Sequence, residues 1–254
     1  MAMTSNETLR IAAMADLHYG RGQRDELREL LAQASEAADV LLLCGDLTDH
    51  GRTKEAKMLI DDVHDHARST KVLAVFGNHD LASDDHEELM EVLEDGGIDV
   101  LDGECASVGS VGFAGVRGFC GGFGTRSVHP FGERELRDFI NVTVEESLKL
   151  ETALSRLDTE HRVVLLHYAP IRDTVEGEPP EIFPFLGSSR LEDPINHYDA
   201  SVVFHGHAHK GGAKGKTAHD IPVYNVSIPV LKQVYPDRPA FRLYEIDLSA
   251  PKKD

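Results

Sequence analysis

Residues 40–49 read VLLLCGDLTD: five apolar residues, Val40 to Cys44, run straight into Gly45, Asp46, Thr48 and Asp49. An apolar run this short, bounded by glycine and acids, reads as a buried strand, which places the polar cluster on the loop at its carboxyl end. The same pattern recurs on both sides. Thr8 to Ala15 (TLRIAAMA) leads into Asp16-Leu17-His18, and Lys71 to Phe76 (KVLAVF) leads into Gly77-Asn78-His79-Asp80. Between these runs, Gln23 to Ala38 and Thr53 to Arg68 carry Leu27, Leu30, Leu31 and Met58, Leu59, Val63 at helical spacing. Strand, loop and helix repeat at roughly thirty residues per unit, the length of a βαβ crossover, so the strands are predicted parallel with right-handed connections. Three polar loops then emerge at one carboxyl edge, where open α/β sheets bind ligands.

Farther out, Asp84 to Glu94 is predicted helical and opened by Ser83 as a cap, and Ile98 to Val116 reads as antiparallel strands with tight turns. A glycine-rich loop, GFCGGFG at 118–124, precedes a helix over Glu133 to Leu157 that Asn141, Val142, Thr143 and Val144 weaken in the middle. Arg162 to His167, Ala200 to His205, Val223 to Val226 and Phe241 to Asp247 read as strands of a second half. Two of them end in functional residue types, His167 and the block Gly206-His207-Ala208-His209. Segment 170–199, rich in Pro, Glu and Gly, is expected to be a long surface excursion. The whole chain, 1–254, is expected to form a single domain.

Composition narrows the function. With 41% hydrophobic and 28% charged residues the chain is neither disordered, collagenous nor membrane-embedded. Its 44 Asp plus Glu against 26 Lys plus Arg give a net charge of −18, which repels a polyanionic backbone and disfavours long nucleic acids as partners. MAMTSNETLR lacks the features of a secretory signal and no apolar run is long enough to span a membrane, so a cytoplasmic location is expected. The three cysteines (Cys44, Cys105, Cys120) fit neither a disulfide framework nor a thiolate zinc site, and Cys44 reads as a small core residue. The 14 histidines are the one functional hint in the composition. Nothing announces an oligomeric interface.

Taken singly, a D-x-H, a G-N-H-D and a lone His167 each have ordinary readings as chance, a capped turn and a core histidine. Their shared position after successive strands is what makes them a constellation. In order from Asp16 to His209, they resemble the five blocks of the calcineurin-like metallophosphoesterase family: D-x-H, G-D-x-x-D, G-N-H-D/E, an isolated H, and G-H-x-H. The resemblance implies an α/β fold, a four-layer α/β/β/α sandwich with two mixed sheets flanked by helices, and a centre of two divalent metal ions. One ion would take Asp16, His18, His209 and the bridging Asp46; the other would take Asn78, His167, His207 and the same Asp46. Oxygen and nitrogen ligands suit Mn²⁺ or Fe, with Zn²⁺, Co²⁺ or Ni²⁺ also compatible.

The implied activity is hydrolysis of a small phosphomonoester or phosphodiester, a cyclic nucleotide among them, by a metal-bridging hydroxide. His79 would contact the phosphate and protonate the leaving oxygen, Asn78 would face the substrate as well as a metal, and Asp80 would orient His79. A DNA exonuclease of the same family and a non-catalytic metal-binding scaffold are the alternatives; the acidic charge weighs against the first and the complete ligand set against the second. Asp49 is expected either to orient a ligand or to cap the helix beginning near Arg52. Arg117, beside the glycine-rich loop, is a candidate for a substrate oxygen, with Tyr19, Phe119 and Phe123 as candidate pocket-edge residues. His205 is expected to be a buried hydrogen-bonding residue rather than a ligand.

Overall fold

The computed structural model describes residues 8–68 and 70–249. In chain order its elements are β1 (Thr8–Met14), α1 (Arg24–Ala37), β2 (Val40–Cys44), α2 (Thr53–His66), β3 (Lys71–Val75), α3 (His86–Asp95), β4 (Ile98–Val100), β5 (Cys105–Val108), β6 (Val111–Gly115) and α4 (Arg134–Ser155). There follow β7 (His161–Leu165), the short helices α5 (Phe183–Leu186) and α6 (Glu192–His197), β8 (Val202–His205), β9 (Lys214–Lys216), β10 (Pro222–Asn225), α7 (Ile228–Val234) and β11 (Arg242–Asp247). One sheet has the order β11-β1-β2-β3-β4, the other β5-β6-β7-β8-β10-β9. Both are mixed: parallel cores with antiparallel β11, β5 and β9 at edges.

Side-chain alternation explains the layering. In the second sheet Phe113, Val163, Leu165 and Phe204 join the same core as Ile11, Leu42 and Leu73 of the first sheet. Their neighbours Ala114, Val164, Leu166 and Val203 point the other way, into a core shared with Leu150, Ala153 and Leu154 of α4 and Ile195 of α6. The first sheet is buried on both faces, and the outer one is covered by α1, whose buried Leu27, Leu30, Leu31 and Ala34 follow helical spacing. Helices, sheet, sheet, helices is the four-layer arrangement the family resemblance implied.

Several local expectations change. β11 is not part of the second half: it pairs antiparallel with β1 at the edge of the first sheet, Ile11 opposite Tyr244. Ile98–Val100 runs parallel to β3, so the antiparallel reading holds only for the β5–β6 hairpin. Ser83 does not cap α3; its hydroxyl donates to the Gly51 carbonyl at 2.7 Å, and the helix begins after Asp85. α4 runs unbroken through residues 141–144, because buried Thr143 donates to the Cys120 carbonyl at 2.5 Å and this anchor outweighs a weak propensity. Segment 170–199 is only partly superficial, since Val175, Leu186, Leu191 and Ile195 are buried. β9, two exposed lysines around a glycine, carries no apolar signal to read. Among the described residues no helix is long and apolar enough to cross a membrane.

Candidate metal centre

The loops after β1 and β2 are zipped together beyond the strands. Asp16 N–H donates to the Gly45 carbonyl (3.0 Å), His18 to Asp46 (2.9 Å) and Tyr19 to Leu47 (2.9 Å). The His79 N–H donates to Asp46 Oδ1 at 2.8 Å, and the His207 N–H meets both Asp16 carboxylate oxygens at 3.2–3.3 Å. Asp16, His18, Asp46 and His207 all have positive φ, between 49° and 69°. Left-handed backbone costs a non-glycine residue roughly 1–2 kcal/mol, so these four conformations persist because the surrounding hydrogen bonds over-determine them. Two glycines leave room for the side chains. A Cβ on Gly45 would overlap the His167 ring, and one on Gly77 would overlap both Asp46 Oδ1 and the Asp46 backbone nitrogen. Gly77→Ala is therefore expected to cost about 3 kcal/mol, as overpacking of a rigid site does. An unchanged thermal unfolding midpoint would contradict that.

The functional side chains converge at this edge. Asp16, His18 and His209 form one group whose ligand atoms lie within 4.8 Å of one another; His18, Asp46 and His79 form a second, and Asp16, Asp46 and His167 a third. Asp46 sits between them, its Oδ2 3.7 Å from His18 Nε2 and its Oδ1 3.5 Å from His167 Nε2. His209 Nε2 is 3.1 Å from Asp16 Oδ1, and Asn78 Oδ1 is 3.0 Å from His167 Nε2.

Electrostatics sets the charge states. Burial opposes ionisation of Asp16, but the hydrogen bond from His209 and the nearby imidazoles hold its carboxyl below the usual range. Burial pushes His18 down to about 4 despite the pull of Asp46 and Asp16, and burial together with His167 pushes His207 down to about 3. Both rings are neutral at pH 7. His18 is buried with neither ring nitrogen hydrogen-bonded, an arrangement that is costly for a polar group unless something else satisfies it. His167 Nδ1 lies 3.1 Å from the Cys44 carbonyl; a proton there directs the Nε2 lone pair at the oxygens of Asp46 and Asn78. Lone pairs converging from oxygen and nitrogen, with no thiolate in the groups, fit divalent cations.

Residues 9–211 match the model of the calcineurin-like phosphoesterase family. The chain belongs to that family. None of the curated proteins compared with it matches the sequence. Among solved structures, a phosphopantetheinyl hydrolase from Mycobacterium tuberculosis superimposes with a TM-score of 0.67 at 16% identity, over 92% of this chain and 95% of that one. TT1561 of Thermus thermophilus gives 0.58 at 13% identity, over 95% and 99%. GAP50, the anchor in the inner membrane complex of Plasmodium, gives 0.54 at 9% identity, over 88% and 73%. At such identities the likeness is one of fold. Family membership makes this chain a metal-dependent hydrolase of phosphoester bonds.

Within the phosphoesterase, the sequence-derived residues fall into three sets. Asp16, His18, Asp46, Asn78, His79, His167 and His209 come together as described. His207 stands slightly apart: it belongs to none of the three groups, its Nε2 lies 3.2 Å from the Phe185 carbonyl, and its ring packs 4.4 Å from Tyr168 and 4.9 Å from His167. A proton on Nε2 leaves Nδ1 as its free donor nitrogen. The remaining expectations change. Asp80 does not orient His79; it is fully buried and accepts from Leu47, Thr48 and Gly77 N–H and from the Thr48 hydroxyl at 2.7–3.1 Å. Burial and Asp46 push its carboxyl up to about 6, which still leaves it ionised at neutral pH. The His79 ring instead meets Asp49, its Nδ1 2.8 Å from the backbone carbonyl.

Arg117 lines a separate cavity of about 400 Å³ with Phe76, Leu81, Met90 and Lys149, its guanidinium over Phe119 and 4.0 Å from Glu146. It is not among the converging groups. Tyr19 is likewise no pocket-edge residue: it is buried and donates to Asp62, which Arg24 grips from the other side. Phe119 packs on Phe139 and Tyr168, and Phe123 against a small core around Phe183. Asp49 does not cap α2, whose first residue follows Arg52 without a side-chain cap; it lies 3.4 Å from His18 Nδ1.

His205 is buried, as expected, and bonds the Thr174 hydroxyl at 2.8 Å. Sequence reading missed Asn225, whose amide donates to the carbonyls of Ala208 (2.8 Å) and Thr174 (3.3 Å) and so ties down the loop carrying His207 and His209. An asparagine ending a strand carries no local signal of that role.

Proposed function

We propose that this phosphoesterase holds two divalent cations, Mn²⁺ or Fe by preference, and hydrolyses small phosphomonoesters or phosphodiesters. Asp16, His18, His209 and Asp46 hold one ion; Asp46, Asn78, His167 and His207 hold the other. The observation that carries this reading is His18, neutral and buried among Asp16, Asp46 and Asp49 with both ring nitrogens lacking hydrogen bonds. Bound there, two such ions supply Lewis acidity toward phosphoryl oxygens and a nucleophile from water near neutral pH.

The chain's own residues do the rest. Asp46 presents one oxygen to each side of the centre, and its Oδ1 is steadied by the His79 N–H. The His79 ring, about one third exposed, is oriented by the Asp49 carbonyl at Nδ1, which leaves Nε2 to deliver a proton to the departing oxygen. Asp80 holds the Gly77–Asp80 turn against Leu47 and Thr48, keeping Asn78 and His79 in place. At −18 the surface repels long polyanions, while cations in the centre draw in a small phosphate.

Protein stripped of metal and held in chelator is expected to hydrolyse neither p-nitrophenyl phosphate nor its bis ester, and to recover with Mn²⁺. Full activity in the stripped sample would contradict the proposal. The ratio of the two rates assigns the preference between monoester and diester.

A further inference from the structure

Arg21 follows β1 in the same loop as Asp16 and His18, and its N–H closes a turn on the His18 carbonyl at 3.2 Å. Its side chain is 47% exposed, and its Nε lies 2.5 Å from Asp49 Oδ1. That one oxygen also lies 3.4 Å from His18 Nδ1 and 3.6 Å from the Nδ1 of His79, so guanidinium and both imidazoles flank a single carboxylate. The other oxygen of Asp49 faces His50 Nδ1 at 3.3 Å. Among the described residues, nothing else hydrogen-bonds or ion-pairs with the Arg21 side chain. A guanidinium has five N–H donors, and Asp49 faces it at Nε; both terminal amino groups remain available beside His18 and His79.

We propose that Arg21 binds a second anionic group of the substrate, a phosphate or carboxylate a few bonds from the scissile phosphoryl group. The proposal rests on the metal-centre reading above and adds a substrate class to it: small phosphoesters with two anionic ends. Planar, bidentate recognition of an oxyanion is what a guanidinium does best. In a chain this acidic, a cation held by one contact beside His18 and His79 is poorly explained as general surface charge. Asp49 faces the guanidinium at Nε alone, which leaves the terminal N–H groups to a second oxyanion.

The test is calorimetric titration of the Mn²⁺-loaded protein with two non-hydrolysable probes, methylphosphonate and 3-phosphonopropionate, which differ in the second anion. The wild type is expected to bind the second about tenfold more tightly, the size of one charge-assisted contact. Arg21→Gln should bring the two affinities together, and Arg21→Lys should keep part of the difference. Equal affinities in the wild type, or an undiminished preference in Arg21→Gln, would overturn the proposal. Calorimetry reads this preference without turnover, so a wild type that binds the probes but hydrolyses no phosphoester counts against the catalytic reading alone.

Discussion

Asp46→Asn will lower kcat/KM for phosphoester hydrolysis by at least about 10³-fold, or about 4 kcal/mol at ~1.4 kcal/mol per decade. The substitution is nearly isosteric, so the effect isolates charge and lone pairs. Asp46 is buried with one oxygen toward His18, the other toward His167 and accepting from the His79 N–H. An amide can keep an oxygen on only one of those sides; the other receives an NH₂ group, and the centre loses a negative charge that two cations need. Ligand that binds only the native state raises its stability by RT ln(1 + [L]/Kd), so Mn²⁺ should raise the wild-type unfolding midpoint and leave Asp46→Asn almost unmoved. A variant that binds two equivalents of metal and keeps activity within tenfold of wild type would remove Asp46 from the shared position.

His79→Ala separates proton delivery from metal binding. General acid catalysis contributes ~10² to 10⁴ in rate, and the loss should fall in that range for an alkyl phosphate, whose alkoxide leaves poorly without a proton. With p-nitrophenyl phosphate the leaving phenolate is already stable, so the loss should be much smaller. The fold should tolerate the change, since the ring is partly exposed and the bond to Asp46 Oδ1 comes from the backbone. Metal content should stay at the wild-type level. Equal losses on both substrates would mean that His79 acts through the position of its neighbours and not as an acid.

Much of this site can be read without coordinates. Short apolar runs ending in glycine and polar residues mark strands, parallel strands share a carboxyl edge, and that edge gathers Asp16, Asp46 and Asn78. His167 and the 206–209 block follow the same logic in the second sheet. The misreadings share a cause. Asp80 stands next to His79 in sequence, yet consecutive side chains in this turn point apart, and the buried carboxylate goes to the N–H groups of Gly77, Leu47 and Thr48. Arg117 lies near the same edge, but Glu146 and Phe119 draw its side chain into another cavity. Nor does any local pattern mark Arg21, whose contact with Asp49 places it beside His18 and His79.

Sequence alone determined the alternation of strands and helices, the five blocks and the family they signal, because period and apolar run length record local burial on one face or two. Only the tertiary structure decided that β11 closes the first sheet, that the Asp49 carbonyl rather than Asp80 orients His79, and that Asn225 clamps the last histidine loop. Those partners meet across long stretches of chain: His167 and the Cys44 carbonyl are 123 residues apart. Which donor finds which acceptor at such separations depends on how strands pair and sheets stack, and no local pattern encodes that.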